Sequence, residues 1–402
     1  MMWLVLAWWS ILGEIFRFEI AGLSVRLIDV WAGVMVLSYW LMHVRKSWRQ
    51  SIWLWGVAGI VLLSWWGRWS AGEPLDLPGV LYAARVMVYL SLIPIVQQLA
   101  SQAQLGRIWG RSIDWLFVVM LLTGWLQYLL LPDLHFLYQF GYDPHLFRMT
   151  GFWWDPNFFG LMLLLIWWWF LPQVYTFFTK ADWWKNWKAW VGLLCMISIG
   201  LTYSRASYLT WLLLTLAVVQ LLRWRRVGLI WFALAGLIYW LLPRAAGEGV
   251  NLARTSTVVA RLDSWQQALT AWSYAPLTGV GFNFFRFQSV QADASRQMHA
   301  LYGVDNSWLL ILATTGLAGA AYVWHLIYQF FFGRVKQFFE LLDYPGNLSE
   351  AKESGWWWPI MGGLSLLTML IGSSFSNALF YPPLMVWWTS LVGLSLGKVK
   401  KL

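Results

Sequence analysis

Apolar stretches recur along the whole chain, and most approach the roughly 20 residues that a helix needs to cross a hydrocarbon core. Short polar segments separate them. The pattern predicts about twelve membrane-spanning helices in one all-α integral membrane domain over residues 1–402. The predicted helices are 2–16, 28–44, 51–67, 78–100, 112–131, 156–178, 188–203, 206–222, 227–243, 303–331, 356–374 and 380–397.

Two polar segments, 132–155 and 244–303, are longer than a connection between helices requires. In the second, apolar residues recur at spacings of three and four, and polar residues occupy the opposite face. The apolar residues are Val258, Val259, Leu262, Trp265, Leu269 and Trp272, and the polar ones are Arg261, Asp263, Gln266 and Gln267. Such a stripe predicts an amphipathic helix that lies on the membrane surface.

Composition agrees with a membrane protein. Hydrophobic residues make up 60% of the chain and charged residues 11%, whereas soluble domains contain roughly 25% charged residues. The first apolar stretch carries Glu14, lacks Lys and Arg, and shows no small-residue cleavage site, so we expect a retained helix and not a signal peptide. The single cysteine, Cys195, excludes a disulfide framework and a cysteine-based metal site.

The net charge of +10 reports topology and does not indicate a nucleic-acid partner, because no basic soluble domain is predicted. Basic residues collect in alternate connections, which the positive-inside rule assigns to the cytoplasm. They are Arg45, Lys46, Arg49, Arg107, Arg111, Lys180, Lys185, Lys188, Arg223, Arg225, Arg226, Arg334, Lys336, Lys352, Lys398, Lys400 and Lys401. The short opposite connections hold Arg17, Arg26, Arg68, Arg148 and Arg205. Both termini are therefore predicted to be cytoplasmic, with segments 132–155 and 244–303 outside.

Candidate functional residues concentrate at the predicted outer ends of the helices. They are Arg85, Arg148, Asp155, Asn157, Arg205, Arg254, Arg261, Arg286, Arg296, His299, Asp305 and Asn306. An excess of arginine indicates an anionic ligand, because guanidinium groups bind phosphate oxygens in a bidentate manner. Simple solvation is the alternative for the arginines of segment 244–303. The outer carboxylates show no metal-ligand spacing, so we expect neither a metal nor another cofactor.

Several motifs occur in a characteristic order. They are Gly151-Phe152-Trp153-Trp154-Asp155-Pro156-Asn157-Phe158-Phe159-Gly160, Tyr203-Ser204-Arg205-Ala206, Arg261-Leu262-Asp263-Ser264-Trp265, Pro276-Leu277-Thr278-Gly279-Val280-Gly281, Asp305-Asn306-Ser307-Trp308-Leu309 and Gly316-Leu317-Ala318-Gly319. Their order, spacing and predicted topology resemble those of the O-antigen ligase and O-antigen polymerase superfamily. The motifs cover about 151–320, and the topology covers the whole chain.

The resemblance implies a GT-C-like helical glycosyltransferase in the bacterial inner membrane. Such an enzyme takes a glycan from undecaprenyl diphosphate, inverts the anomeric centre, and needs neither a metal nor a nucleotide. The paired diphosphate-binding arginines of the family fall on Arg205 and Arg261. Its His-Asn pair falls on Asp305-Asn306, so aspartate replaces the usual histidine as the candidate proton acceptor. A helix-capping role for Asp305 and a basic role for His299 are the alternatives.

The acceptor defines the remaining alternatives. A ligase, a repeat-unit polymerase and a protein O-oligosaccharyltransferase share this donor chemistry, and their acceptors are a glycolipid, a glycan or a protein. A flippase or other transporter of lipid-linked oligosaccharides is a different class. Transporters place ionisable groups near the midplane in related halves, whereas the charged groups here gather at one face and the halves look unrelated. Membrane lipids are the other expected partners.

Overall fold

A computed structural model describes residues 2–20, 23–47, 51–101, 103–178, 183–243, 248–252, 255–285, 304–342 and 357–397. Helices dominate this part of the chain. They are α1 (Met2–Leu12), α2 (Leu27–Ser47), α3 (Ile52–Ser70), α4 (Leu77–Ala100), α5 (Ala103–Leu130), α6 (Pro156–Phe177), α7 (Trp187–Leu201), α8 (Arg205–Leu221), α9 (Arg225–Leu241), α10 (Ser256–Tyr274), α11 (Ser307–Leu342), α12 (Trp357–Gly372) and α13 (Pro382–Gly397). The prediction of a helical membrane protein is confirmed at this level.

The count of membrane spans stays a prediction. The twelve predicted spans overlap α1–α9 and α11–α13. Among the described helices, four are long and apolar enough to cross a membrane, by length and composition. These four lie within α4, α5, α6 and α11. Five shorter apolar helices lie in α1, α2, α7, α8 and α12.

A two-stranded hairpin corrects the predicted first helix, which was expected to run to residue 16. Helix α1 ends at Leu12, and strands β1 (Arg17–Ile20) and β2 (Leu23–Arg26) follow as an antiparallel pair. Gly13 turns the chain with φ of 55°, and a Cβ there would lie 2.3 Å from Cδ1 of Trp153. Only glycine fits this left-handed turn against the indole ring, which the apolar pattern of the chain did not reveal.

The main core is built around α6. Residues 161–171 of this helix are at most 1% exposed, as expected for a helix that is hydrophobic on all sides. Helices α7, α8, α12 and α13 pack against it, and the same core includes buried residues of α1, α2, α4, α5 and α9.

A second, smaller core lies beside the main one. It joins α10 to the beginning of α11 and contains Ala268, Ala271, Val280, Phe285, Val304 and Ala313. Helix α3 packs against α11 on another side. We call residues 256–285 and 304–316 the α10–α11 unit.

Several connections between helices meet at one end of the bundle, which we call the site end. It comprises 13–20, 23–26, 131–155, 202–204, 248–252, 304–306 and 373–381, and hydrogen bonds link many of these connections to one another. This is the end that the sequence predicts to lie outside. The candidate residues that the structure describes are found here.

Candidate active site

Arg205 and Arg261 line one cavity at the site end. Its volume is about 230 Å³, and the other lining residues are Ala206, Leu209, Val258, Leu262, Trp265 and Phe375. The two guanidinium groups come from α8 and α10, which are distant in sequence. The cavity therefore combines two cations with an otherwise apolar wall.

The sharp connection between α7 and α8 positions Arg205. Tyr203 adopts φ of 50°, and Ser204 caps α8 by accepting a hydrogen bond at Oγ from the backbone N–H of Ser207 (3.3 Å). Arg205 is thus the first residue of the helix, and its Nη1 donates to the carbonyl oxygen of Leu252 (3.4 Å). The positive end of the α8 dipole lies beside this guanidinium group, and both favour an anion.

The start of α6 adjoins the start of α8. Ser204 Oγ donates to Asn157 Oδ1 (3.0 Å), so Asn157 ties the two helix ends together. Asp155 Oδ1 accepts hydrogen bonds from the backbone N–H groups of Asn157 (2.6 Å) and Phe158 (3.2 Å), which makes Asp155 the cap of α6. Burial raises the pKa of Asp155 to about 6, although these N–H groups oppose the rise.

Arg261 lies within electrostatic range of the other charged site residues. Desolvation lowers the pKa of its half-buried guanidinium group, and Arg205 adds to that effect, whereas Asp305 and Asp155 oppose it. The group remains charged at neutral pH because arginine starts from a very high pKa. Four charged groups from α6, α8, α10 and α11 therefore converge.

At the start of α11, Asn306 caps the helix and Asp305 presents an accessible carboxylate. Asn306 Oδ1 accepts from the backbone N–H groups of Trp308 (2.9 Å) and Leu309 (3.1 Å), so Asn306 is the cap. Its Nδ2 donates to the carbonyl oxygen of Ser374 (3.1 Å). Asp305 keeps an accessible side chain and is held by its backbone N–H, which donates to Ser264 Oγ (3.3 Å).

The electrostatic surroundings of Asp305 suit a proton acceptor. Desolvation by the nearby protein raises its pKa, and Asp143 raises it further, whereas Arg261 lowers it. A carboxyl group with a raised pKa is a stronger base than an ordinary aspartate while it remains ionised near neutrality. Because Asn306 caps α11, the capping alternative for Asp305 is wrong.

Comparison with known families singles out this same region. Residues 190–323 match the family described as O-antigen ligase. The match confirms the resemblance to the O-antigen ligase and polymerase superfamily, whose members are glycosyltransferase-like membrane enzymes. No curated protein matches the chain.

The O-antigen ligase segment begins in α7 and ends in α11. It therefore contains Arg205, Arg261, Asp305 and every cavity residue except Phe375. Asp155 and Phe375 come from outside the segment, from the start of α6 and the connection before α13. The site end thus joins the matched segment to the rest of the helical bundle.

Arg148 does not point to the cavity, although the sequence placed it among the ligand-binding residues. It is 4% exposed, and its guanidinium group donates to the carbonyl oxygens of Thr202 (2.9 Å, from Nε) and Tyr203 (3.3 Å, from Nη2). These bonds brace the turn that presents Arg205. Asn157 and Asn306 likewise serve here as ties between helix ends.

Arg85 belongs to a separate ion-pair network under the hairpin. Its Nη2 lies 2.9 Å from Asp29 Oδ2, and its guanidinium group lies over the Tyr82 ring at 4.5 Å. In the same network Glu14 pairs with Arg26 at 2.8 Å. Burial alone would raise the pKa of Glu14, but the neighbouring arginines hold it below its ordinary value.

The structure adds Asp143 and Phe375 to the candidate site. Asp143 influences the pKa values of both Asp155 and Asp305, and Phe375 closes one wall of the cavity. No periodicity or motif in the sequence pointed to either residue.

Four of the candidate residues, Arg254, Arg286, Arg296 and His299, lie outside the described residues. Within the described ranges, no group of three or more His, Cys, Asp or Glu side chains could hold a metal ion.

Proposed function

We propose that the protein is an O-antigen ligase-like glycosyltransferase. It moves a glycan from a polyprenyl-diphosphate carrier to an acceptor hydroxyl on the outer face of the bacterial inner membrane. The observation that carries the proposal is that Arg205 and Arg261 line one apolar-walled cavity inside the segment that matches the family. A diphosphate attached to a hydrocarbon chain matches both features of that cavity.

The charges of the site favour the diphosphate. Two guanidinium groups can neutralise it, and each can form a bidentate bond to its oxygens. The positive ends of α6 and α8 meet beside Arg205, which adds to the attraction for an anion. The same groups stabilise the charge that develops on the departing diphosphate during transfer.

The apolar wall favours the prenyl chain. Val258 and Leu262 of α10 are 43% and 55% exposed, and they face the cavity together with Leu209 of α8. A hydrocarbon chain that covers such side chains gains about 25 cal/mol per Å² of buried apolar surface. We infer that the first isoprene units lie between α8 and α10.

We infer a transfer step in which, as the family resemblance implies, the anomeric centre is inverted. The acceptor oxygen attacks the anomeric carbon from the side opposite the diphosphate, so the configuration inverts. The bond between the anomeric carbon and the phosphate oxygen breaks, and the carrier keeps both electrons as polyprenyl diphosphate. Asp305 accepts the hydroxyl proton as the new glycosidic bond forms.

Two conservative substitutions test the donor site. We expect Arg205→Lys and Arg261→Lys each to reduce transfer by on the order of 100-fold, because an ammonium group keeps the charge and loses the bidentate geometry. The measurement is transfer of a labelled lipid-linked glycan by membranes that contain equal amounts of each protein. Near-normal transfer by both variants would reject the proposal.

Two further experiments test the conditions of the reaction. Chelation of divalent cations should leave transfer by the purified protein unchanged, because the arginines neutralise the leaving group. Loss of activity in chelator and its recovery with magnesium would contradict this.

Reporter fusions at Tyr142 and Gly249 should report an outside location, and a fusion at Glu350 an inside one. An inside signal at Gly249 would place the proposed site on the wrong side of the membrane.

A further inference from the structure

Helix α11 is broken inside its apolar stretch, which is long enough to span a membrane. Gly316 has φ of 64° and ψ of −164°, which no helix accommodates. It lies within the apolar span Ser307–Phe331, about 13 Å from the start of the helix at the usual rise per residue. At that depth a freed backbone N–H or C=O group has no water to bind, so another part of the protein must supply its partner.

The segment 276–281, which follows α10, supplies the missing partners. In an unbroken helix the N–H groups of Leu317 and Ala318 would bind the carbonyls of Ala313 and Thr314. Instead, four bonds connect the two segments: Val280 N–H to Ala313 C=O (2.9 Å), Gly281 N–H to Thr314 C=O (3.1 Å), Leu317 N–H to Pro276 C=O (2.9 Å) and Ala318 N–H to Leu277 C=O (3.2 Å). We call this arrangement the interlock.

Glycine is required on both sides of the interlock. Gly279 has φ of 70°, and a Cβ there would lie 2.3 Å from the carbonyl carbon of Thr314. A Cβ at Gly316 would lie 2.3 Å from the carbonyl carbon of Leu277. Both contacts are with backbone atoms, which cannot rotate away as a side chain would. This explains physically why the two glycine motifs of the sequence occur as a pair.

Helix α3 holds the opposite side of the inserted segment. Arg68 Nη1 donates to the carbonyl oxygen of Val280 (3.3 Å), and its guanidinium group lies 4.6 Å from the Phe284 ring centre. The backbone N–H of Phe282 donates to Ser64 Oγ (3.0 Å). The segment is therefore fixed between α3 and α11.

The interlock also links two residues of the proposed site. Arg261 lies on α10, which leads directly into the inserted segment, and Asp305 precedes α11. The backbone N–H of Asp305 donates to Ser264 on α10, and the small core fills the space between the two helices. Arg205 lies on α8, which belongs to the main core. The interlock therefore fixes the position of α10 along the axis of α11.

We propose that the interlock is a positioning device, in which Gly279 and Gly316 hold Arg261 and Asp305 in register with each other and with Arg205. The inference rests on the proposed function. Neither glycine contacts the substrate, and each acts through the backbone of the α10–α11 unit. Loss of the interlock should reduce turnover through displacement of Asp305 and weaken donor binding through displacement of Arg261, while Arg205 and the α8 side of the cavity stay in place.

The test compares glycine-to-alanine variants with matched controls. Gly279→Ala and Gly316→Ala should reduce kcat for labelled glycan transfer by on the order of 100-fold, since misplacement by about 1 Å costs that much, and should raise donor KM severalfold because Arg261 moves away from the diphosphate. Gly59→Ala in α3 and Gly236→Ala in α9 should keep normal kcat, because a Cβ at either position meets no atom within 4 Å.

A pH profile separates positioning from a general loss of structure. Arg261 lowers the pKa of Asp305, so displacement of Arg261 should move the acid limb of kcat to higher pH in the interlock variants. Normal kcat with an unchanged acid limb would overturn the inference and leave the proposed function intact. Failure of the proposed function is recognised separately, by active Arg205→Lys and Arg261→Lys variants.

A cysteine pair keeps the inference testable if the alanine variants do not accumulate. Val280→Cys and Ala313→Cys are combined with Cys195→Ala, which removes the single native cysteine. We expect oxidation to join the pair in membranes and to preserve transfer. Absence of a cross-link, or activity that is lost on oxidation and restored by reduction, would overturn the inference.

Discussion

Helices α6 and α11 both begin at the site end with a polar cap, yet they are held in different ways. The apolar span of α6 is 83% buried, whereas that of α11 is 33% buried. Helix α6 is continuous through the main core, and α11 is interrupted at Gly316 and completed by a segment from elsewhere in the chain. One helix is fixed by packing on all sides, and the other by specific backbone bonds.

This difference separates the two halves of the proposed site. The starts of α6 and α8 present Asp155 and Arg205 from the main core. The α10–α11 unit presents Arg261 and Asp305 from a small core with few residues. Substitutions of buried residues in the main core should therefore act mainly on stability, and substitutions of Arg261, Asp305 or the interlock glycines mainly on transfer.

The largest effect expected on the α11 side is at Asp305. Asp305→Asn should reduce transfer at least about 100-fold, because the amide cannot accept the acceptor proton. Expression and thermal stability should not change, since Asn306 caps the helix. Asp305→His should keep partial activity, and His299→Ala should be tolerated. An active Asp305→Asn together with an inactive His299→Ala would transfer the role of base to His299.

Substitution of the neighbouring residue, Asn306, should lower the stability of the protein. Asn306→Ala removes the cap of α11 and its bond to Ser374, which should cost about 1–2 kcal/mol of stability. Thermal denaturation in detergent measures the loss. A stability equal to that of the native protein would show that the cap contributes nothing, and the contrast between the two neighbours would disappear.

A smaller effect, on the donor KM, is expected from the titration of Asp155 at the start of α6. Asp155, with a pKa of about 6, is ionised above that pH and then weakens the pull of Arg261 on an anion. As pH falls through 6, protonation of Asp155 removes its negative charge and should lower the donor KM severalfold. A change of that size corresponds to the interaction of one solvent-screened charge pair. In Asp155→Asn this dependence should vanish. A pH-dependent donor KM that persists in the variant would exclude Asp155 as its source.

The smallest effect is expected at Arg85. Arg85→Lys should change transfer by no more than about threefold, because lysine preserves the charge of the pair with Asp29 and Arg85 does not line the cavity. The same membrane assay measures it, with Arg205→Lys as the sensitive reference. A loss at Arg85 as large as that at Arg205 would show that the hairpin network takes part in donor binding.

The sequence predicted the regular parts of the fold and the family motifs of the site. Helix periodicity and apolar length indicated the helices, and the order of motifs indicated Arg205, Arg261 and Asp305. The hairpin was not predictable, because the steric reason for a glycine at position 13 is a contact with Trp153, which is distant in sequence. The roles of Arg148 and Arg85 were not predictable either, because an arginine that binds carbonyls or a distant aspartate looks the same in sequence as one that binds phosphate.

In the proposed function, the cavity between α8 and α10 holds the polyprenyl diphosphate. The most direct measurement is photolabelling with an undecaprenyl-diphosphate analogue that carries a diazirine on its first isoprene unit, followed by mapping of the labelled peptides. We predict labelling of α8 near Leu209 and of α10 near Val258 and Leu262, with loss of both labels in Arg205→Lys and Arg261→Lys. Labelling confined to other helices, or undiminished in those variants, would show that the donor does not bind in this cavity.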